Sequence, residues 1–122
     1  MTAAVSFVIP VLNEREHVAA LLRDLRARYP RSELIVVDGG STDDTVAIAL
    51  PLCDQLLLGE RGRACQMNLG AQVASMPYIF FLHADSRPGV SAASLDDALA
   101  GEPAGGFCRV RLSGRQAYFR VI

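Results

Sequence analysis

Apolar positions along the chain follow two rhythms that alternate. Ala4-Val5-Ser6-Phe7-Val8-Ile9 is β-rich and is closed by Pro10, which cannot donate to a strand ladder, so it predicts a strand ending there. Val18, Leu21, Leu22, Leu25 and Tyr29 then recur at helical spacing, leaving Arg23, Asp24 and Arg26 to water, until Pro30 stops the pattern. Asn13 is the expected N-cap of this helix, with Glu16 three residues on to complete the cap. Leu34-Ile35-Val36-Val37 predicts a second, buried strand that runs directly into Asp38-Gly39-Gly40-Ser41-Thr42-Asp43-Asp44-Thr45. A helix over about residues 43–49 follows, capped by Ser41 or Thr42, with Asp43 and Asp44 suiting its positive end; Pro51 ends it.

Gln55-Leu56-Leu57-Leu58 is a short third strand, and Gly59-Glu60-Arg61-Gly62-Arg63 leads into a third helix whose apolar face is Met67, Leu69, Gly70, Val73 and Ala74. Tyr78-Ile79-Phe80-Phe81-Leu82 is apolar without alternation, as expected of a central strand covered on both faces, and ends at His83-Ala84-Asp85. Beyond the turn Ser86 to Gly89, a helix is expected over Ser91 to Leu99, then a weaker, alternating edge strand over Gly105 to Leu112.

Strand and helix alternate at a period of about 20 to 25 residues, which predicts an α/β fold: one doubly wound, mostly parallel sheet with helices on both faces, in a single domain over residues 1–122. Right-handed crossovers bring the ends of parallel strands to one edge, so Pro10 to Glu14, Asp38 to Ser41, Gly59 to Arg63 and His83 to Asp85 should converge there.

Composition narrows the function classes. A chain of 122 residues with 51% hydrophobic residues can bury a sizeable core, and a formal net charge of -1 argues against broad capture of nucleic acid. The longest apolar runs fall far short of the roughly 20 residues needed to span a bilayer, so no transmembrane segment is expected. The start, Met1-Thr2-Ala3-Ala4, carries no basic region of a secretory signal, so the expected location is the cytoplasm. Cys53, Cys65 and Cys108 are odd in number and without CxxC spacing, which fits a reducing compartment and small apolar roles.

The strand ends carry the candidate chemistry. Gly39 and Gly40 remove side chains where a ligand could approach the backbone, and Asp38 is expected to accept hydrogen bonds from a base or sugar. His83 and Asp85, two apart on an extended segment, share a face and could hold a divalent cation; a carboxylate suits Mg²⁺ or Mn²⁺ completed by phosphate and water, and a coordinating His favours Mn²⁺. The plainer reading of His83 is a hydrogen-bonded residue at a strand end. Arg61 and Arg63 suit a diphosphate, the plainer reading being a solvated basic loop. Pro10-Val11-Leu12-Asn13-Glu14 stands where a dinucleotide fold needs GxGxxG, a haloacid dehalogenase phosphatase needs an acid where Gly40 stands, and no P-loop or Ser/His/Asp order is present.

Together, Pro10-x-x-Asn13-Glu14, Asp38-Gly39-Gly40-Ser41-x-Asp43-x-Thr45, Arg61-Gly62-Arg63-Ala64-x-Gln66-Met67-Asn68-x-Gly70-Ala71 and Phe81-Leu82-His83-Ala84-Asp85 resemble family 2 glycosyltransferases of the GT-A fold. The match is to a small bacterial branch written with Leu-His-Ala-Asp, and it spans about residues 5–90. The resemblance implies an inverting transferase acting on a nucleoside-diphosphate sugar, a UDP-sugar being favoured, and an unknown acceptor. It places Pro10, Asn13, Glu14, Asp38, Gly39, Gly40, Ser41, Arg61, Arg63 and Asn68 at the nucleotide, with Asp38 reading the base. It also implies an Mn²⁺ or Mg²⁺ ion held by Asp85, with His83 a weaker candidate because the general pattern has Asp-x-Asp there. The family's catalytic base and acceptor region are expected beyond residue 122, Asp96 and Asp97 being read as solvated helix residues, so the chain is expected to be the donor-binding part of a longer enzyme. Two other functions remain: a non-catalytic nucleotide-binding or assembly module, pairing with its own copy or a partner through the apolar segment Ala117 to Ile122, and a nucleotidyltransferase.

Overall fold

A computed structural model describes residues 5–86, 89, 91–100, 108–111 and 118–121. Strand β1 (Val5–Val11) leads to helix α1 (Val18–Arg28), β2 (Glu33–Asp38) to α2 (Thr45–Ala49) and a single 3₁₀ turn (Leu50–Leu52), and β3 (Gln55–Leu58) to α3 (Arg63–Val73). Strand β4 (Tyr78–Phe81) and α4 (Ala92–Ala100) follow, then β5 (Cys108–Arg111) and β6 (Tyr118–Val121). The first four strands form a parallel sheet in the order β3-β2-β1-β4, with Val11 opposite Asp38, Asp38 opposite Leu58 and Val8 opposite Phe81. All four therefore end on one edge, as right-handed crossover connections require.

The alternation of strand side chains divides the core into two layers. Phe7, Ile9, Val11, Leu34 and Val36 point to the α1 side, where they meet Val18, Leu21, Leu22, Leu25 and Tyr29, with Leu95 and Leu99 of α4 packed against them. The Phe7 ring sits 5.1 Å from Tyr29 and 5.2 Å from Phe80 in tilted pairs, a geometry that aromatic quadrupoles favour. Val8, Ile35 and Val37 point the other way, to Leu69 and Val73 of α3. Each fully buried side chain of this size contributes about 1.5–3 kcal/mol relative to exposure.

Four sequence expectations change. Asn13 does not cap α1: the helix begins at Val18, and the Glu14 carbonyl accepts the His17 and Val18 amides at 3.0 Å. Helix α2 starts at Thr45, with no side-chain cap from Ser41 or Thr42. Strand β4 lies at the border of the four-stranded sheet, paired with β1, and Ile79 is 38% exposed, so its unbroken apolar run does not mark a strand flanked on both sides among the described residues. The final apolar segment contributes β6, antiparallel to β5, with Cys108 opposite Val121. Residues 105–107, 112, 117 and 122 of the expected edge strand and terminal apolar segment lie outside the described residues. No helix among the described residues is long and apolar enough to cross a membrane.

Candidate functional site

At the shared edge, the loops after β1 and β2 are stitched together by small hydroxyls and one amide. Asn13 has φ +52°, a left-handed conformation that Asn tolerates better than most residues. Its amide donates to Ser41 Oγ at 2.9 Å, and its Oδ1 accepts from the Thr42 and Asp43 amides at 2.8 and 3.3 Å. The Glu14 amide donates to Thr45 Oγ1 at 2.9 Å, and that hydroxyl donates onward to Asp43 Oδ1, which also accepts the Thr45 amide at 2.9 Å. The Thr45 hydroxyl is the main reason the Asp43 carboxyl stays below its ordinary value; burial opposes, and the Thr45 and Arg15 amides and the Arg15 charge assist.

Asp38 is buried, and its carboxylate is engaged by its own loop. Its Oδ2 accepts the Gly40 and Ser41 amides at 2.9 Å each, and its Oδ1 accepts the Ser41 hydroxyl. Gly40 has φ +104° and no atom within 4 Å of a would-be Cβ, so its glycine serves the backbone turn. Gly39 serves a different need: a Cβ there would lie 2.9 Å from the Gln66 carboxamide. Both glycines are expected from sequence to clear room for a ligand; the space at Gly39 is taken by the Gln66 side chain, while that at Gly40 is open among the described residues.

A cavity of about 400 Å³ opens beside this knot, lined by Pro10, Val11, Leu12, Glu14, Arg61, Gly62, Arg63, Gln66, His83, Ala84 and Asp85. Six of the residues singled out from sequence, Pro10, Glu14, Arg61, Arg63, His83 and Asp85, thus meet in one concavity. Asn13, Asp38, Gly39, Gly40, Ser41 and Asn68 are not among its lining residues. Arg61, Arg63 and Asp85 are exposed, while His83 and Glu14 are half-buried. Burial, then the Arg63 charge, lowers the His83 pKa against the opposing pull of Asp85 and Glu14, which keeps the imidazole neutral at pH 7. Cys65, expected to be a small apolar filler, is exposed on the first turn of α3.

Among the described residues no three His, Cys, Asp or Glu side chains cluster into a protein cage. The Asp85 carboxylate and the His83 imidazole line the same cavity as two guanidinium groups. A hard cation can use so few protein donors where phosphate oxygens and water complete its shell, and the guanidinium groups suit the phosphate.

Gln66 stands in the Arg61-to-Ala71 motif, but the motif assigns it no role of its own. It is 5% exposed, and its Nε2 donates to the carbonyls of Val11 at 3.0 Å and Val37 at 2.9 Å. Its Oε1 accepts the Gly62 amide at 3.3 Å. The available signal was periodic: Gln66, Leu69, Gly70 and Val73 form the i, i+3, i+4, i+7 face that α3 turns to the sheet, with a Gln as its one polar member.

Known proteins similar to this chain in sequence or in fold are glycosyltransferases and a polysaccharide synthase. A glycosyltransferase of undetermined specificity from Mycobacterium bovis is 35% identical over 83 residues, covering 67% of this chain and 37% of that protein. A poly-β-1,6-N-acetyl-D-glucosamine synthase from Staphylococcus epidermidis is 33% identical over 89 residues, covering 67% of this chain and 22% of that protein. The chain therefore spans about a third or less of the length of these relatives. Among solved structures, S. aureus TarS in complex with UDP superposes with a TM-score of 0.73 at 19% identity, covering 93% of this chain and 38% of that one. The Pyrobaculum calidifontis mannosyltransferase with GDP-Man and Mn²⁺ superposes with a TM-score of 0.69 at 24% identity, covering 84% and 34%. These likenesses establish the GT-A type of α/β fold. The family model described as glycosyl transferase family 2 matches residues 6–90, from the first strand through the His83-Ala84-Asp85 turn, and the chain belongs to that family.

Proposed function

We propose that this chain is the donor-binding part of an inverting glycosyltransferase that takes a nucleoside-diphosphate sugar, a UDP-sugar being favoured, of the branch marked by Arg61-Gly62-Arg63-Ala64 and Leu82-His83-Ala84-Asp85. The observation that carries this reading is the meeting of Glu14, Arg61, Arg63, His83 and Asp85 around one cavity at the C-terminal edge of a parallel sheet, where such folds take their ligands. Related structures hold UDP, or GDP-Man with Mn²⁺, on the same fold.

The guanidinium groups of Arg61 and Arg63 offer planar forks to a diphosphate. Glu14, held by its amide to Thr45, accepts hydrogen bonds from the hydroxyls of the nucleoside. Asp38 shapes the nucleoside side of the site by fixing the Gly40 and Ser41 amides, and together with Asn13 and Asn68 completes the donor surface around the cavity. Asp85, with His83 beside it, would hold an Mn²⁺ or Mg²⁺ ion, which supplies charge compensation for the departing nucleoside diphosphate. In the transfer itself the acceptor hydroxyl oxygen forms the new bond to the sugar C1 as the C1–O bond to the diphosphate breaks, and its proton passes to a carboxylate base.

Calorimetric titration of the full chain with UDP and Mn²⁺ tests the donor site. Binding is expected, and Asp85→Ala and Arg63→Ala are each expected to weaken it by about tenfold or more, or ~1.4 kcal/mol. Unchanged affinity in both variants would sink the assignment. Turnover of a nucleoside triphosphate with a sugar phosphate would instead identify a nucleotidyltransferase, and UDP binding with no sugar transfer by the whole protein would identify a silent binding module.

A further inference from the structure

We infer that Gln66 is a positioning residue of the donor site, a clasp that fixes the Arg61–Arg63 loop against the ends of β1 and β2, and that Gly39 is glycine in order to admit it. The inference rests on the donor reading above and adds to it a residue that neither the sequence motifs nor that reading gave a role.

Three observations carry it. The first is that the Gln66 side chain closes back on the N-cap of its own helix: its Oε1 accepts the Gly62 amide at 3.3 Å, beside the first backbone bond of α3, from the Gln66 amide to the Gly62 carbonyl at 2.9 Å. Gly62 lies between the two arginines with φ +136°, so the loop that presents both guanidinium groups turns on a residue whose orientation Gln66 sets. A second is that both N–H groups of the carboxamide are spent on carbonyls of two different strands, Val11 and Val37. The side chain thereby ties the arginine loop to the sheet ends that also present Pro10, Leu12 and Glu14. With both donors spent on the strand carbonyls and Oε1 accepting from Gly62, the carboxamide is engaged by the protein, and Gln66 acts on a ligand chiefly through the loop.

The third is the fit with Gly39, where an added Cβ would lie 2.9 Å from Gln66 Cδ and Oε1 and 3.0 Å from Nε2. The carboxamide is the end of a flexible chain, but three hydrogen bonds and a 5% exposure leave it nowhere to go without breaking the clasp. Only Gln satisfies the site. Glu at 66 would set a carboxylate against two carbonyls with no N–H to offer, and Met would fill the space but withdraw all three side-chain hydrogen bonds, leaving the Val11 carbonyl only the Gly39 amide.

The test measures affinities of the full chain for UDP and for UMP, each with Mn²⁺, alongside thermal midpoints. Variants are Gln66→Met, Gln66→Ala, Gly39→Ala and the Gly39→Ala/Gln66→Ala double. Gln66→Met is expected to weaken UDP by about tenfold while changing UMP by less than about threefold, because the arginine loop serves the diphosphate. Gly39→Ala is expected to reproduce that selective loss and to add little to Gln66→Ala, since the truncated side chain leaves room for the methyl. Equal losses for UDP and UMP, unchanged UDP affinity, or fully additive effects in the double variant would overturn the clasp. If Gln66→Met does not fold, Gly39→Ala carries the same UDP-against-UMP comparison. A wild-type chain that binds no UDP would refute the donor reading itself, and the thermal cycle between positions 39 and 66 would still report whether the two residues are coupled.

Discussion

A methyl group at position 70 would sit 2.3 Å from Val8 Cγ1 and 3.1 Å from Val37 Cγ2. Gly70 lies mid-helix, where glycine costs about 1 kcal/mol against alanine, so its presence reflects how closely α3 lies on the sheet. Because Val8 and Val37 are fully buried β-branched residues with little freedom to move, Gly70→Ala is expected to destabilise by about 1–3 kcal/mol despite the better helix propensity, measured by urea unfolding. An unchanged or raised stability would mean that α3 can lift off without cost. The place of Gly70 on the apolar face of α3 was legible. The reasons for Gly39 and Gly40 were not, because Gly39 answers to a side chain 27 positions away along the chain and Gly40 to its own backbone angle. A glycine in a sequence does not say which of these it serves.

Among elements, the loops after β1 and β2 behave as one unit, and Asn13 is the joint. Read locally, Asn13 and Glu16 have the spacing of a cap on α1; in three dimensions Asn13 caps the neighbouring loop, across 29 positions to Thr42. Local pattern reading assigns a capping side chain to the nearest helix because it has no way to see a second chain of amides brought alongside. Asn13→Gly keeps the left-handed backbone and removes only the acceptor, whereas Asn13→Ala removes both. Asn13→Ala is therefore expected to cost about 1 kcal/mol more than Asn13→Gly, with each less stable than wild type in chemical denaturation. Equal stability of the two variants would show that the backbone angle at 13 carries no strain. The apolar run of β4 misled for a related reason. It is continuous because both faces meet apolar layers in part, Tyr78 and Phe80 on the α1 side and Phe81 on the α3 side, and facial burial says nothing of whether a strand has one lateral neighbour or two.

On the scale of the whole molecule, the sheet separates a binding edge from a structural edge. At the edge opposite the cavity, Glu33 accepts from Ser6 Oγ at 2.7 Å, from the Ser75 amide and hydroxyl at 2.9 Å each, and from Gln55 Nε2 at 3.2 Å. One carboxylate thus ties the starts of β1, β2 and β3 to the segment entering β4. Burial pushes its pKa up, but the hydrogen bonds from Ser75, Ser6 and Gln55 together outweigh it and hold the carboxyl below its ordinary value of 4.5. A folded pKa lowered in this way contributes stability that is present above the ordinary value and is lost as pH falls through the lowered one. Glu33→Gln is expected to cost about 1–2 kcal/mol at neutral pH, a gap that narrows as pH drops below 4.5, with UDP affinity unchanged. A gap independent of pH, followed by thermal unfolding across the acid range, would show that the ionised form is not what ties the strands together.

The sequence alone determined the alternation of strand and helix, the two faces of each strand, and the arrival of Glu14, Arg61, Arg63, His83 and Asp85 at one edge. Those features follow from periods of two and 3.6 residues and from the handedness of crossovers, which are properties of a chain read in order. The tertiary structure alone decided that the Asp38 carboxylate is spent on its own loop, that Asn13 joins two loops, and that Gln66 reaches Val11 across 55 positions to hold the arginine loop. The bonds of Asn13 and Gln66 join groups far apart in the chain, and their existence depends on packing that brings a donor within about 3 Å of an acceptor, a distance that no periodicity encodes. Those of Asp38 reach only Gly40 and Ser41 of its own turn, and the turn's folded backbone decides them.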